Sequence, residues 1–188
     1  VVIISNGEVK NREFFKKLIK KSDYIIAVNG GSKHAKNFGL IPDLIIGDLD
    51  SISKEDIFYF QNKGSTFLRH DPIKDKTDVH LAIEHVMNSE FKEILLICVF
   101  GYRIDHIIAN IFLLSEVVEA GIKIKIIDEF NEIILIQNFG KIKGNIGDTV
   151  SLIPLTEKVT GIQLTGLNYI PKDGTLKMND TLGISNIL

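Results

Sequence analysis

The chain has 188 residues, 45% hydrophobic and 24% charged, the mix of an ordinary globular protein and not of a disordered one. Lys and Arg number 22 against 24 Asp and Glu, and a formal charge of −2 gives no bulk attraction for nucleic acid or anionic lipid. No apolar run reaches the ~18 residues that cross a bilayer, because Lys, Asp or Glu interrupts each one. The single cysteine, Cys98, has no intramolecular partner and fits a reducing, cytoplasmic compartment.

In chain order, residues 1–4 read as a strand with no basic segment ahead of it. Residues 24–28, 44–46, 66–68, 94–99 and 122–127 follow as further Ile- and Val-rich strands. Between them lie helical faces. Phe14, Phe15, Leu18 and Ile19 mark one, Val79, Ala82, Ile83 and Val86 a second, and Ile104, Ile107, Ile108 and Ile111 a third. Near-continuous apolar strands alternating with helices predict an α/β domain with a mostly parallel sheet covered on both sides. From about residue 129 the helical period vanishes. Runs at 131–137, 139–143, 148–154, 159–164 and 175–178, broken by glycines, predict a β-sandwich. The expected domains are therefore 1–128 and 129–188.

Polar residues gather just after the predicted strands, where open α/β sheets bind ligands. Gly47-Asp48-Leu49-Asp50-Ser51 sets two carboxylates at i and i+2, on one side of extended backbone. Such a pair can hold one hard cation, and Mg²⁺ prefers one or two carboxylates with waters and phosphates. By itself the pattern is also that of a solvated turn. Lys74-Asp75-Lys76-Thr77-Asp78 precedes a helix. Thr77 is a natural N-cap there and Asp78 suits the positive helix end, while the lysines would attract phosphate.

Gly101-Tyr102-Arg103-Ile104-Asp105-His106 carries one of only three arginines, the others being Arg12 and Arg69, and a bidentate fork after a glycine suits phosphate. Asp105 there either binds metal or stabilises the helix start. His34, His70, His80 and His85 show no zinc-like spacing. P-loop, dinucleotide-binding and nucleophile-elbow signatures are all absent.

Five motifs, in order, resemble those of thiamine pyrophosphokinases. They are Asn29-Gly30-Gly31, the run from Pro42 through Asp48 and Asp50 to Ile52, Asp75-Lys76-Thr77-Asp78, Gly101 to His106 with Asn110, and Gly183-Ile184-Ser185-Asn186. The resemblance implies an α/β domain followed by a β-sandwich, in a homodimer with active sites at the subunit interface. It implies Mg²⁺-dependent transfer of pyrophosphate from ATP to the hydroxyl of thiamine, releasing AMP.

By position, Asp48, Asp50 and Asp78 resemble the metal-organising carboxylates, with Asp78 assigned the hydroxyl proton. Asn29, Gly30, Gly31, Lys74, Thr77, Arg103 and Asp105 match positions around the nucleotide and the transferred phosphates. Ser185 and Asn186 match residues near thiamine, contributed by the second subunit. Where the family usually has Asp-Gly-Gly, this chain has Asn29-Gly30-Gly31. Two rival expectations are a pyrophosphokinase for another hydroxymethyl heterocycle, such as a pterin, and a non-catalytic thiamine or nucleotide sensor.

Overall fold

The computed structural model describes residues 1–188 except Ser22 and Lys74, and for Lys172 the backbone alone. Two compact units divide the chain, Val1–Leu135 and Ile136–Leu188. In the first, strands and helices alternate: β1 (Val2–Ile4), α1 (Arg12–Leu18), β2 (Ile25–Val28), α2 (Gly31–Phe38), β3 (Leu44–Gly47) and α3 (Lys54–Asn62). Then come β4 (Thr66–Arg69), α4 (Asp78–Met87), β5 (Glu93–Ile97), α5 (Ile104–Glu119), β6 (Lys123–Ile127) and β7 (Glu132–Ile134).

The seven strands form one sheet in the order β4-β3-β2-β1-β5-β6-β7. All neighbours are parallel except β6 and β7, which pair antiparallel. Alternation along the strands explains why both faces need cover. Ile3, Ile26 and Ile46 pack with Ala82, Ile83 and Val86 of α4 and Leu114 and Val117 of α5. Val2, Ile4 and Ile25 point the other way, onto Phe15 of α1 and Ala35 and Phe38 of α2. Ala27 and Ile45 meet Phe60 of α3. Phe15 and Phe38 stack with ring centroids 5.9 Å apart, and each fully buried ring contributes roughly 1.5–3 kcal/mol by leaving water.

Helices α1 to α3 thus cover one face and α4 and α5 the other. Strand order reverses at β1 and β5, so their carboxyl ends border the crevice where this architecture binds ligands. All six strands read from the first 128 residues are present. Helices α2 and α3 had no clear helical period. In α2 the described buried hydrophobic side chains are only Ala35 and Phe38, and α3 buries Phe60 while leaving Phe58 exposed. The change of texture at residue 129 does not coincide with the unit boundary. β7 adds to the edge of the first sheet, Ile126 opposite Ile133, so residues 129–135 belong with it.

The second unit is a small β region of two ladders. β8 (Thr149–Val150) pairs with β11 (Asn186–Ile187), and β9 (Lys158–Val159) with β10 (Leu176–Lys177). These are shorter than the predicted runs. Residues 139–143 form no ladder among the described residues, and Phe139 there is 89% exposed. Among the described residues no helix is long and apolar enough to cross a membrane.

Candidate active site

The carboxyl ends of β2 and β3 lie side by side, and the loops they release build an acidic cluster. β3 runs into Gly47, whose φ of 147° takes the chain into Asp48, Leu49 and Asp50. The Asp50 N–H donates to Asp48 Oδ1 at 3.2 Å, which folds the two carboxylates together. A hydrogen bond between the two side chains, with the Asp48 charge, pushes the Asp50 carboxyl above the ordinary range, and Asp78 adds a smaller push from across the site. Crowded like charges of this kind are what a divalent cation relieves, and an all-carboxylate donor set suits Mg²⁺.

Asp78 opens α4. Thr77 caps it, its hydroxyl accepting the His80 N–H at 3.2 Å, so the capping reading of Thr77 holds in the structure. Asn29, at the end of β2, donates from Nδ2 to Asp78 Oδ2 at 2.5 Å and accepts the Leu49 N–H on Oδ1 at 3.0 Å. Gly30 is the N-cap of α2 and Gly31 its first residue. A Cβ on Gly31 would come within 2.1 Å of the Ile4 carbonyl oxygen, so only glycine lets α2 start against the end of β1. Asn29, Asp48, Asp50 and Asp78 are therefore brought together, with Thr77, Gly30 and Gly31 shaping the backbone around them. Lys74, assigned to phosphate by sequence, lies outside the described residues; its neighbour Lys76 pairs with Glu84.

Arg103 and Asp105 sit on the exposed start of α5, after β5. Their side chains pair with each other, and the Arg103 guanidinium pulls the Asp105 carboxyl down to about 2. Beside them opens a cleft of about 240 Å³, walled by Glu8, Phe100, Gly101, Tyr102, Glu129 and Phe130. Burial pushes the Glu129 carboxyl up, but the N–H groups of Lys10 and Asn11, at 2.8 and 2.7 Å, outweigh it and hold it low. Tyr102 and Phe130 leave their rings 90% and 77% exposed at this cleft. Only Gly101 and Tyr102 of these walls belong to a motif read from the sequence. The signal for the rest was their place just after β1, β5 and β6, beside the strand-order reversal at β1 and β5.

In the second unit, Asn186 is buried and its carboxamide is committed to Tyr169. It accepts the Tyr169 N–H on Oδ1 at 2.9 Å and donates from Nδ2 to the Tyr169 carbonyl. Ser185 is exposed, with φ 59° and its N–H on Ser151 Oγ at 3.1 Å. A cluster the sequence did not suggest joins His80 and Glu84 of α4 to Glu116 of α5, their donor atoms within 4.8 Å of one another. Glu84 is met by Lys76, and His80 Nε2 faces Glu116 at 3.2 Å. Lys76 thus already answers the Glu84 charge.

Comparison with known proteins bears on the family and the fold. The family model for the thiamin pyrophosphokinase catalytic domain matches residues 15–126, and that for the vitamin B1 binding domain matches residues 137–188. The chain is similar to thiamine pyrophosphokinase of Bacillus subtilis (strain 168), 30% identical over 165 residues, covering 87% of this chain and 77% of that protein. The crystal structure of thiamine pyrophosphokinase from Bacillus subtilis superposes with a TM-score of 0.85 at 26% identity, covering 100% of this chain and 88% of that one. Thiamin pyrophosphokinase from Candida albicans, at 19% identity and a TM-score of 0.78 over 100% of this chain and 82% of that one, shares the fold. On the two family models and the Bacillus subtilis relative, the chain belongs to the thiamine pyrophosphokinase family, enzymes that form thiamine diphosphate by pyrophosphate transfer.

Proposed function

We propose that the chain transfers pyrophosphate from ATP to the hydroxyl of thiamine, releasing AMP and using Mg²⁺. The observation that carries the reading is the acidic cluster of Asp48, Asp50 and Asp78 at the carboxyl edge of a parallel sheet. Acidic side chains can serve phosphate only with a cation between them, so this cluster suits a metal-loaded nucleotide. Asp48, Asp50 and Asp78 would hold the ion, which when bound neutralises charge on the phosphate oxygens.

The chain's own residues do the rest. Thiamine's hydroxyl oxygen attacks the β-phosphorus of ATP, the bond from that phosphorus to the α-phosphate bridging oxygen breaks, and AMP leaves. The reaction needs positioning and charge neutralisation more than covalent catalysis. Arg103 supplies a planar fork for phosphate oxygens, and Asp78 takes the hydroxyl proton. Asn29, Gly30, Gly31, Lys74, Thr77 and Asp105 frame the nucleotide. Ser185 and Asn186 lie near thiamine, supplied by the second subunit of a homodimer. The buried Cys98, its thiol pushed up by burial, suits a reducing, cytoplasmic compartment.

Incubation with ATP, Mg²⁺ and thiamine tests the proposal, with AMP and thiamine diphosphate resolved by chromatography. Equimolar appearance of both, abolished by chelation of the metal, is the expected result. Turnover of a hydroxymethyl pterin in place of thiamine would replace the substrate assignment. Thiamine or nucleotide binding with no AMP would mark a sensor.

A further inference from the structure

We infer that Asn29 is a positioning residue, whose carboxamide ties the loop bearing Asp48 and Asp50 to Asp78 at the start of α4 and so assembles the acidic set before a divalent cation arrives. The inference rests on reading Asp48, Asp50 and Asp78 as the cation site. Asn29 is held at every polar atom. Its N–H donates to the Ile46 carbonyl at 2.9 Å, and its own carbonyl accepts the Ser32 N–H at 3.0 Å. Its Oδ1 accepts from Leu49, the residue between the two acids, at 3.0 Å, and its Nδ2 donates to Asp78 Oδ2 at 2.5 Å. Gly47 makes the room, since a Cβ there would lie 2.2 Å from Asn29 Oδ1.

The chemistry of the two partners selects the side chain. The Leu49 N–H requires an acceptor and the Asp78 carboxylate requires a donor. A carboxamide supplies one of each, whereas a carboxylate supplies two acceptors. Aspartate at this position would therefore set its second oxygen against Asp78, an arrangement that needs a cation or a shared proton between them. Preassembly matters because a cation that has to gather its own ligands binds more weakly. Asn29 also has φ 45°, in the left-handed region that Asn, Asp and Gly tolerate. Asn29→Gly thus deletes both ties without straining the backbone, and Asn29→Asp keeps the Leu49 tie while reversing the Asp78 one.

The test uses the full chain, wild type and both variants, with Mn²⁺ as the probe. Electron paramagnetic resonance of free Mn²⁺ gives affinity, and melting is followed with and without the ion. Asn29→Gly is expected to bind Mn²⁺ about tenfold more weakly. Asn29→Asp is expected to melt below wild type without the ion, with saturating Mn²⁺ closing most of the gap. Wild-type Mn²⁺ affinity in both variants, or a melting gap in Asn29→Asp that Mn²⁺ leaves untouched, would reduce Asn29 to a merely structural residue and overturn the inference. Failure of the wild type itself to bind Mn²⁺ would instead overturn the cation reading on which it rests.

Discussion

The Arg103 guanidinium forks onto the Asp105 carboxylate, Nη2 to Oδ2 at 2.5 Å and Nε to Oδ1 at 3.1 Å. Both side chains are more than half exposed, so the pair adds little to stability. It does fix the plane of the fork at the start of α5. Lys keeps the charge and loses the bidentate geometry. If Arg103 grips phosphate as proposed, Arg103→Lys is expected to lower turnover by about tenfold or more, because such a contact strengthens as charge builds in the transition state. Its melting temperature should stay at the wild-type value. Steady-state kinetics and melting on one preparation check this, and unchanged turnover in a stable variant removes Arg103 from the catalytic set.

The same pair sets a pH expectation. The Asp105 carboxyl is depressed to about 2 by the Arg103 hydrogen bond first, with smaller contributions from the His106 N–H and then from the Arg103 charge. A depressed carboxyl contributes its stability in full above the ordinary range near ~4 and loses it as pH falls toward the folded value. Carboxyl NMR should therefore show Asp105 ionised well below pH 4. In Arg103→Ala its midpoint should return toward ~4. A midpoint unmoved by that substitution would mean another group holds the carboxylate.

Asp48→Asn and Asp50→Asn should each cost at least ~100-fold in turnover with the fold intact, as expected where charge stabilisation of the transition state is removed. Each removes a negative charge from a crowded cluster, so neither should lower the melting temperature in metal-free buffer. Near-wild-type activity of both at limiting Mg²⁺ would sink the metal assignment.

Asn186 presents a choice between support and substrate contact. Its buried carboxamide closes a two-way hydrogen bond with the Tyr169 backbone. Asn186→Ala leaves those backbone groups without their partner, which costs about 1–3 kcal/mol where they stay buried. Urea unfolding should show that loss. A variant of full stability whose KM for thiamine rises would make Asn186 a substrate ligand in its own right.

The second unit should pair with a second copy. Among its described residues the buried hydrophobic side chains are Val150 and Leu176, while Phe139, Ile146, Ile153 and Ile170 are exposed. So small a core is marginal alone, and its short ladders leave strand edges uncovered. Light scattering is expected to give twice the chain mass. A fully active monomer at micromolar concentration would contradict the pairing.

Much of the first unit was legible because its signals are local. Ile and Val runs mark strands whose side chains alternate between faces, and the 3.6-residue period of Val79, Ala82, Ile83 and Val86 marks α4. Asp48 and Asp50 could be placed at a strand end because they follow the apolar run at 44–46, and on one side of it from their spacing. Helices α2 and α3 escaped because α2 carries only Ala35 and Phe38 as apolar side chains and α3 sets Ile57, Phe58, Tyr59 and Phe60 in one unbroken run, so neither shows a helical period. Sequence by itself thus determined the alternation of elements, the edge that carries the polar motifs, and the family those motifs resemble. Tertiary structure decided the strand order, the attachment of β7 to the first sheet, and the meeting of Asn29 with Asp78 across 49 positions. Periodicity records which face of an element is buried, whereas a contact between distant residues depends on which strands lie adjacent, and that choice belongs to the packed sheet as a whole.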